Sequence, residues 1–394
     1  MQLVSYSTAR AVARRRIPMR SWMRKLLLGK AGQGQKSRSR STGDEPDQAA
    51  RTGEESSQAK AADVQQDSGL RKALDRAGKE LFHGEEAVMD CAGMVHEEEM
   101  DEQVRKLITS DISEMSKFGA SFDRFRKLND PNASMADIAE TVGMDPVFSA
   151  RVLAVANSPY FSVVEQVTSV HHAVMVLGLV NLKTLYFREY FRMLGSGDGR
   201  VKHVRQDIWA HLALAAVCSS HVAEAVAGVE PETAYTIGLL HDVGKFPVLN
   251  LPLSVSESRE LFTLLRGAGY LAREDELAGV NHAMVGRMAC EVWKFPDLVT
   301  RTISRHHLYD PSQDGECGVD NGSKGEELPY LACLWVANGV ARMVVDDEPE
   351  EFEIAPLPPG LAGYVDRKRI KKILAGDALY MDVAKTGAIF SSEG

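Results

Sequence analysis

From about residue 70 onward, apolar residues recur every three or four positions, and strict alternation of apolar and polar residues is nowhere sustained. That period predicts an all-α chain. The first apolar stripe is Leu70, Ala73, Leu74, Ala77 and Leu81, inside a helix expected over residues 70–98. From about 102 to 198, helical periods alternate with breaks at Pro131-Asn132, Gly143 to Pro146, Ser158-Pro159 and Gly178. A Gly-rich break at 195–199 then opens a second helical half that runs to about residue 345. Its longest apolar run, Ile208 to Val229, is interrupted by His211, His221 and Glu224, which suits a core helix and not a membrane span. Pro311 to Pro329 reads as a polar surface loop, and Asp346 to Glu353 as an acidic surface run. Beyond Asp366 one further short helix is expected, Arg367 to Leu374.

The first 68 residues differ from the rest. Between Gly29 and Gly69 there is scarcely a large apolar side chain, so burial cannot offset the entropy of ordering the chain, and disorder is expected. Ahead of it, Met19, Trp22, Met23, Leu26 and Leu27 fall on one helical face, with Arg20, Arg24 and Lys25 on the other. Such a short basic amphipathic helix over residues 19–28 is a candidate tether to a membrane surface or a partner. Its alternative reading is an over-long predicted start, with translation beginning at Met19 or Met23.

Charge sharpens this division. Residues 1–43 hold eleven Arg or Lys and no acid, so the remainder carries −20 against the whole chain's −9. An acidic body argues against nucleic acid as a partner of the folded part. Ala133 to Gly143 does imitate the first half of a helix-turn-helix, but the next helix, Pro146 to Ala156, is apolar with Arg151 its one basic residue. A recognition helix needs polar side chains to read base edges. The five cysteines have no paired C-x-x-C spacing and predict reduced thiols of a cytoplasmic protein.

Chemistry concentrates in the second half. Gly238 to Lys245 reads GLLHDVGK, which sets His241 and Asp242 side by side at the end of an apolar helix, followed by a flexible Gly244 and a cation, Lys245. An imidazole and a carboxylate are ligands for a divalent metal, and a lysine suits a phosphate. His211, His282 and the pair His306-His307 supply further imidazoles on expected helices or helix ends. Each also has a plain structural reading: hydrogen-bonded core histidines for His211 and His282, helix-end capping for His306 and His307.

Six segments in order carry a resemblance. Met144-Asp145-Pro146, the run Val152 to Phe161 containing Asn157-Ser158-Pro159, and Val167 to Val170 with Ala173-Val174 and Leu177-Gly178 lie upstream. His282-Ala283 with Val285-Gly286, then Trp293 with Pro296, and finally His306-His307 lie downstream. Over about residues 102–310 the chain resembles the HDOD (HD-related output domain) family of bacterial signalling proteins, within the HD superfamily. The resemblance implies an all-α, two-part helical domain with an HD-type second half. It divides the chain into a disordered segment 1–68, a helical lead-in 69–101, a first HDOD half 102–198, an HD-like half 199–345, and an acidic linker and tail 346–394.

The resemblance also implies a ligand set: His211, His241, Asp242, His282, His306 and His307 around iron, manganese or zinc, with Lys245 and Asp242 as the residues of any catalysis. Asp207, one turn before His211, matches an extra acidic ligand of some cyclic-dinucleotide phosphodiesterases. Asn338 stands where the superfamily carries its last aspartate, and an amide is a weaker, neutral ligand. The GYP segment of those phosphodiesterases is missing, since Leu308 to Pro311 follows the histidine pair. The expected function is therefore a signal-transduction module acting by binding a phosphorylated or nucleotide ligand and a signalling protein. Its rivals are a metal-dependent phosphohydrolase and an interaction scaffold with a vestigial site. The expected location is the cytoplasm, with residues 19–28 offering a route to the inner membrane.

Overall fold

The computed structural model describes residues 70–79, 97–117, 127–128, 132–161, 166–193, 199–266, 271–307, 325–345 and 357–391. Among them there is no β-strand, only one isolated bridge between Val226 and Val365, so the fold is all-α as the periodicity predicts. The basic helix expected over 19–28 and the disorder expected over 29–69 lie outside the described residues.

The first half packs three helices: α2 (Met135–Gly143), α3 (Pro146–Ala156) and α4 (Val170–Met193), preceded by α1 (Glu102–Lys117). Helix α2 begins with a capping box, in which Ser134 and Asp137 each accept from the other's backbone N–H. Asp145 then accepts from Phe148 N at 3.0 Å and so starts α3 at the next residue, Pro146. The α3 face bearing Phe148, Val152 and Val155 is buried, and α3 packs along α4. The helix-turn-helix likeness thus ends in core packing. Asn157 explains its own place in the sequence: its amide donates to Val167 O at 2.8 Å and accepts from Val167 N at 2.8 Å. That two-way bond closes the loop between α3 and α4.

The second half is organised around α5 (Gly199–Val222), against which α6 (Pro231–Leu240), α12 (Leu328–Val345) and α15 (Asp377–Ser391) pack. Between α6 and α12 run α7 (Lys245–Val248), α8 (Val255–Arg266), α9 (Leu271–Ala278), α10 (His282–Val292) and α11 (Asp297–Ser304). Helix α12 is long and apolar enough to cross a membrane by length and composition, but most of it is buried inside the fold.

Two glycines set the spacing near the site. A Cβ on Gly238 would lie 2.6 Å from Ser219 Oγ and 2.7 Å from Ala215 O, so α6 approaches α5 as only glycine allows. A Cβ on Gly244 would lie 2.0 Å from His282 O, which brings the turn after Asp242 directly onto the start of α10.

The tail holds more structure than its sequence suggests. After α13 (Pro359–Ala362), the expected short helix is present as α14 (Arg367–Ala375), and α15 follows it. Leu379, Val383 and Ile389 of α15 are buried, and Arg188 of α4 donates to Ile389 O. Helix 70–79 joins this region through Arg71, which reaches Ala375 O and Asp377 and stacks 4.4 Å over the Tyr380 ring.

Candidate metal centre

Three helix ends and one helix middle converge on Asp242. His211 comes from the middle of α5, His241 is the cap residue ending α6, His282 is the first residue of α10, and His306-His307 follow α11. Asp242 lies on the turn between α6 and α7, and Lys245 is the first residue of α7. Two groups of donors each fall within 4.8 Å: Asp242 with His282, His306 and His307, and Asp242 with His211 and His241. Asp242 belongs to both.

The individual distances are those of ligands around a shared centre. His282 Nε2 lies 3.1 Å from Asp242 Oδ1 and 3.0 Å from His307 Nε2, and His306 Nε2 lies 3.4 Å from Asp242 Oδ1. On the other side, His241 Nε2 and His211 Nε2 stand 3.4 and 3.8 Å from Asp242 Oδ2. Donors held about 2.1 Å from one ion sit roughly 3.0–3.4 Å apart in octahedral or tetrahedral arrangements, so every separation but the longer one of His211 suits a shared metal as it stands.

Hydrogen bonds on the far side of the rings aim the Nε2 atoms inward. His241 Nδ1 donates to Gly238 O at 2.8 Å, and His306 Nδ1 to Ile303 O at 2.6 Å. His282 Nδ1 contacts Glu274 Oε2 at 2.7 Å, while the same oxygen accepts from His282 N at 2.9 Å. With Nδ1 carrying the proton, each Nε2 presents a lone pair to the centre.

What remains unpaired makes the strongest case. His211 Nε2, His241 Nε2 and both Asp242 oxygens are buried without a hydrogen bond of normal geometry. Lys245 Nζ does lie 2.7 Å from Asp242 Oδ2 as an ion pair. Buried donors and acceptors left open in one spot are costly unless something fills it. This donor set, imidazoles with one carboxylate, fits a divalent transition metal.

The electrostatics favour the ligating protonation states of His211, His306, His307 and Asp242. Burial holds His211 and His307 well below the ordinary imidazole range, and pushes His306 down to about 4. Burial alone would raise the Asp242 carboxyl, but the Lys245 ammonium and His241 outweigh it, and the group stays ionised. Burial also lowers His282, yet Glu274 and Asp242 overcome that and shift it upward. Lys245 is lowered by burial, with Asp242 opposing.

Two expected ligands have other partners. Asp207 pairs with Arg266 Nε at 2.7 Å and belongs to neither donor group. Asn338 Oδ1 accepts from Arg342 Nε at 3.3 Å, one turn further along α12. His203, His171 and His172 are exposed, and His221 bonds Asp382 of α15 at 3.0 Å.

Several residues at the centre escaped sequence reasoning. Glu274 is fully buried, although Arg273 and Glu276 beside it form an exposed charged run. Asn281 caps α10 by accepting from Met284 N, and its amide donates to Asp275, which holds His282 in place. Arg305, buried just before the histidine pair, donates to Glu327 Oε1 at 2.7 Å at the foot of α12. A spacing of two helical turns before His282 was the one available hint for Glu274.

The HDOD domain profile matches residues 121–309. The chain carries an HDOD domain. Every histidine of the two donor groups lies within that match, whereas Asn338 and Arg342 lie beyond it. Among solved structures, the HDOD domain protein with unknown function from Geobacter sulfurreducens is similar at 21% identity and a TM-score of 0.43, covering 71% of this chain and 98% of that one. A Shewanella amazonensis SB2B protein named "Putative phosphohydrolase" is similar at 22% identity and a TM-score of 0.49, covering 72% of this chain and 98% of that one. At such levels these neighbours bear on neither activity nor ligand. No curated protein matches the chain in sequence.

Proposed function

We propose that this HDOD protein is a signal-transduction module that works by binding, with a divalent metal held at the His/Asp centre and a signalling protein as its partner. The observation that carries the reading is the convergence of His211 Nε2, His241 Nε2 and both Asp242 oxygens, buried and without a hydrogen bond of normal geometry, on one spot. His282, His306 and His307 would complete the ligand set. A bound metal there would supply positive charge to fix an anionic ligand.

Binding is favoured over turnover by the charges of the chain's own residues. Asp242 is the one carboxylate in either donor group among the described residues, and Lys245 already neutralises part of it. Glu274 is occupied in orienting His282 and stands behind the ring, out of reach as a proton acceptor for a ligand. Asn338 contributes no charge, and its carbonyl is engaged by Arg342. Within the described site both carboxylates, Asp242 and Glu274, are thus already engaged, which leaves neither free as a general base.

A second reading keeps one specific observation on its side. Asp242 is shared by two donor groups, as a carboxylate bridging two ions would be, and paired metals serve phosphohydrolases. Calorimetric titration of chelator-treated protein with manganese, iron or zinc, run beside a chromogenic phosphodiester assay, separates the two. Metal binding without turnover supports the binding module. Metal-dependent turnover abolished by Asp242→Ala would establish the hydrolase, and no metal binding would leave the scaffold.

A further inference from the structure

Helix 70–79 and α14 lie side by side, although they come from opposite ends of the described chain. Arg71 donates to Ala375 O at 3.2 Å and to Gly376 O at 3.3 Å, where α14 ends, and a Cβ on Gly78 would lie 3.6 Å from Leu374 Cδ1. Each helix buries one apolar face: Leu70, Ala73, Leu74 and Ala77 on the first, Ile370 and Leu374 on the second. The remaining faces are basic. Helix α14 reads RKRIKKILA, and Arg367, Lys368, Arg369, Lys371 and Lys372 are all exposed. On helix 70–79, Lys72 and Lys79 are exposed and Arg76 is half-buried. Together the two helices hold nine basic residues and one acid, Asp75, in a chain whose net charge is −9.

The fold does not account for this concentration of charge. Among the described residues, the side chains of Lys72, Lys79, Lys368, Arg369, Lys371 and Lys372 form no ion pair. Asp377, at the edge of the patch, is taken by Arg71, and Asp366 is engaged in capping the Lys368 and Arg369 N–H groups. Residues 367 to 369 occupy the first turn of α14, where the positive end of the helix dipole disfavours cations. Like charges also stand four apart at 367 and 371 and at 368 and 372, which weakens the helix further. Residues 1–43 hold no acid, so they cannot neutralise the patch.

We propose that the exposed faces of α14 and helix 70–79 form one docking surface for an anionic lipid bilayer. A cluster of Lys and Arg on a single face is what an anionic leaflet attracts. The acidic remainder of the body is repelled by the same leaflet, so the attraction favours the one orientation that presents this face. Two observations favour lipid over nucleic acid. Neither helix carries an Asn, a Gln or an aromatic side chain with which to read or stack on bases. The sequence ahead of helix 70–79 also sets Met19, Trp22, Met23, Leu26 and Leu27 among Arg20, Arg24 and Lys25, and such apolar residues suit the headgroup boundary while offering nothing to a phosphodiester backbone.

The test is co-sedimentation of the full-length protein with vesicles of phosphatidylcholine alone, and of phosphatidylcholine with about one-third phosphatidylglycerol, at low and at physiological salt. The parent protein should bind the anionic vesicles, bind them less as salt rises, and leave the neutral ones alone. Lys368→Gln, Arg369→Gln, Lys371→Gln and Lys372→Gln combined should lower that affinity at least about tenfold, since each basic residue near an anionic surface contributes up to about fivefold. Lys368→Arg, Lys371→Arg and Lys372→Arg combined should bind as the parent does. Lys72→Gln with Lys79→Gln, on the other helix, should weaken binding by a smaller factor and carries the test if the fourfold variant melts early. Binding to anionic vesicles that survives both sets of Gln changes would overturn the proposal, as would a parent protein that ignores them or binds neutral vesicles equally. Binding to duplex DNA or RNA that is tighter than to vesicles at the same salt, and lost with the same Gln changes, would assign the surface to nucleic acid instead.

Discussion

Glu274 grips His282 twice, accepting from its backbone N–H at 2.9 Å and contacting its ring Nδ1 at 2.7 Å. One buried carboxylate thereby fixes both where α10 begins and which nitrogen of its first residue faces Asp242. Removing such an orienting partner typically lowers metal affinity 10–100-fold. Glu274→Gln should keep the fold and the backbone contact while weakening zinc or manganese binding by about tenfold. Unchanged affinity in a competition titration would show that the ring is held by packing alone.

Gly244→Ala places a methyl group 2.0 Å from His282 O, a backbone atom that cannot swing aside. The turn and α10 must part, which should destabilise the protein by at least about 1–3 kcal/mol. Asp242 moves with the turn, so metal affinity should fall as well. Urea unfolding and a metal titration of the same variant check both; a loss of stability with metal affinity intact would separate the close approach from the site.

The Arg305–Glu327 pair, 2.7 Å apart and buried, ties the residue before His306 to the start of α12. Glu327→Ala should cost about 3–5 kcal/mol, since it leaves a buried guanidinium without its main counter-ion. The double change Arg305→Met with Glu327→Leu should recover most of that. If the double variant is as unstable as the single one, packing and not charge explains the loss.

His221 and Asp382 link α5 to α15 at 3.0 Å. The hydrogen bond from His221 holds the Asp382 carboxyl below its usual range. A depressed carboxylate contributes stability above pH about 3.8, lost as the pH falls through the folded-state value. Asp382→Asn should lower stability at pH 7 and shrink the drop seen on acidification below about pH 4. Parallel stability curves for the two proteins would exclude the link.

The histidines of the centre were legible because they are few and each ends or interrupts an apolar period. His241-Asp242 follows α6 as its sequence suggests, and His306-His307 follow α11. Glu274 was not legible, because its neighbours Arg273 and Glu276 make the stretch read as solvent-facing, and only the packing of α9 on α10 reveals its burial. Asp207 and His211 share a face, yet that face is wide enough for Asp207 to turn to Arg266 instead of the centre. Helix α15 escaped notice because Thr386 and Gly387 interrupt its apolar stripe, although Thr386 is buried and bonds back to Asp382 O at 2.8 Å.

The central claim is that the buried donors around Asp242 hold a metal. Elemental analysis of protein purified without chelator or metal-affinity tag tests it most directly, with His241→Ala and Asp242→Ala prepared in parallel. The account predicts iron, manganese or zinc in the parent protein, below a full dinuclear complement, and little in either variant. Metal-free parent protein, or a metal content that His241→Ala and Asp242→Ala leave unchanged, would contradict it.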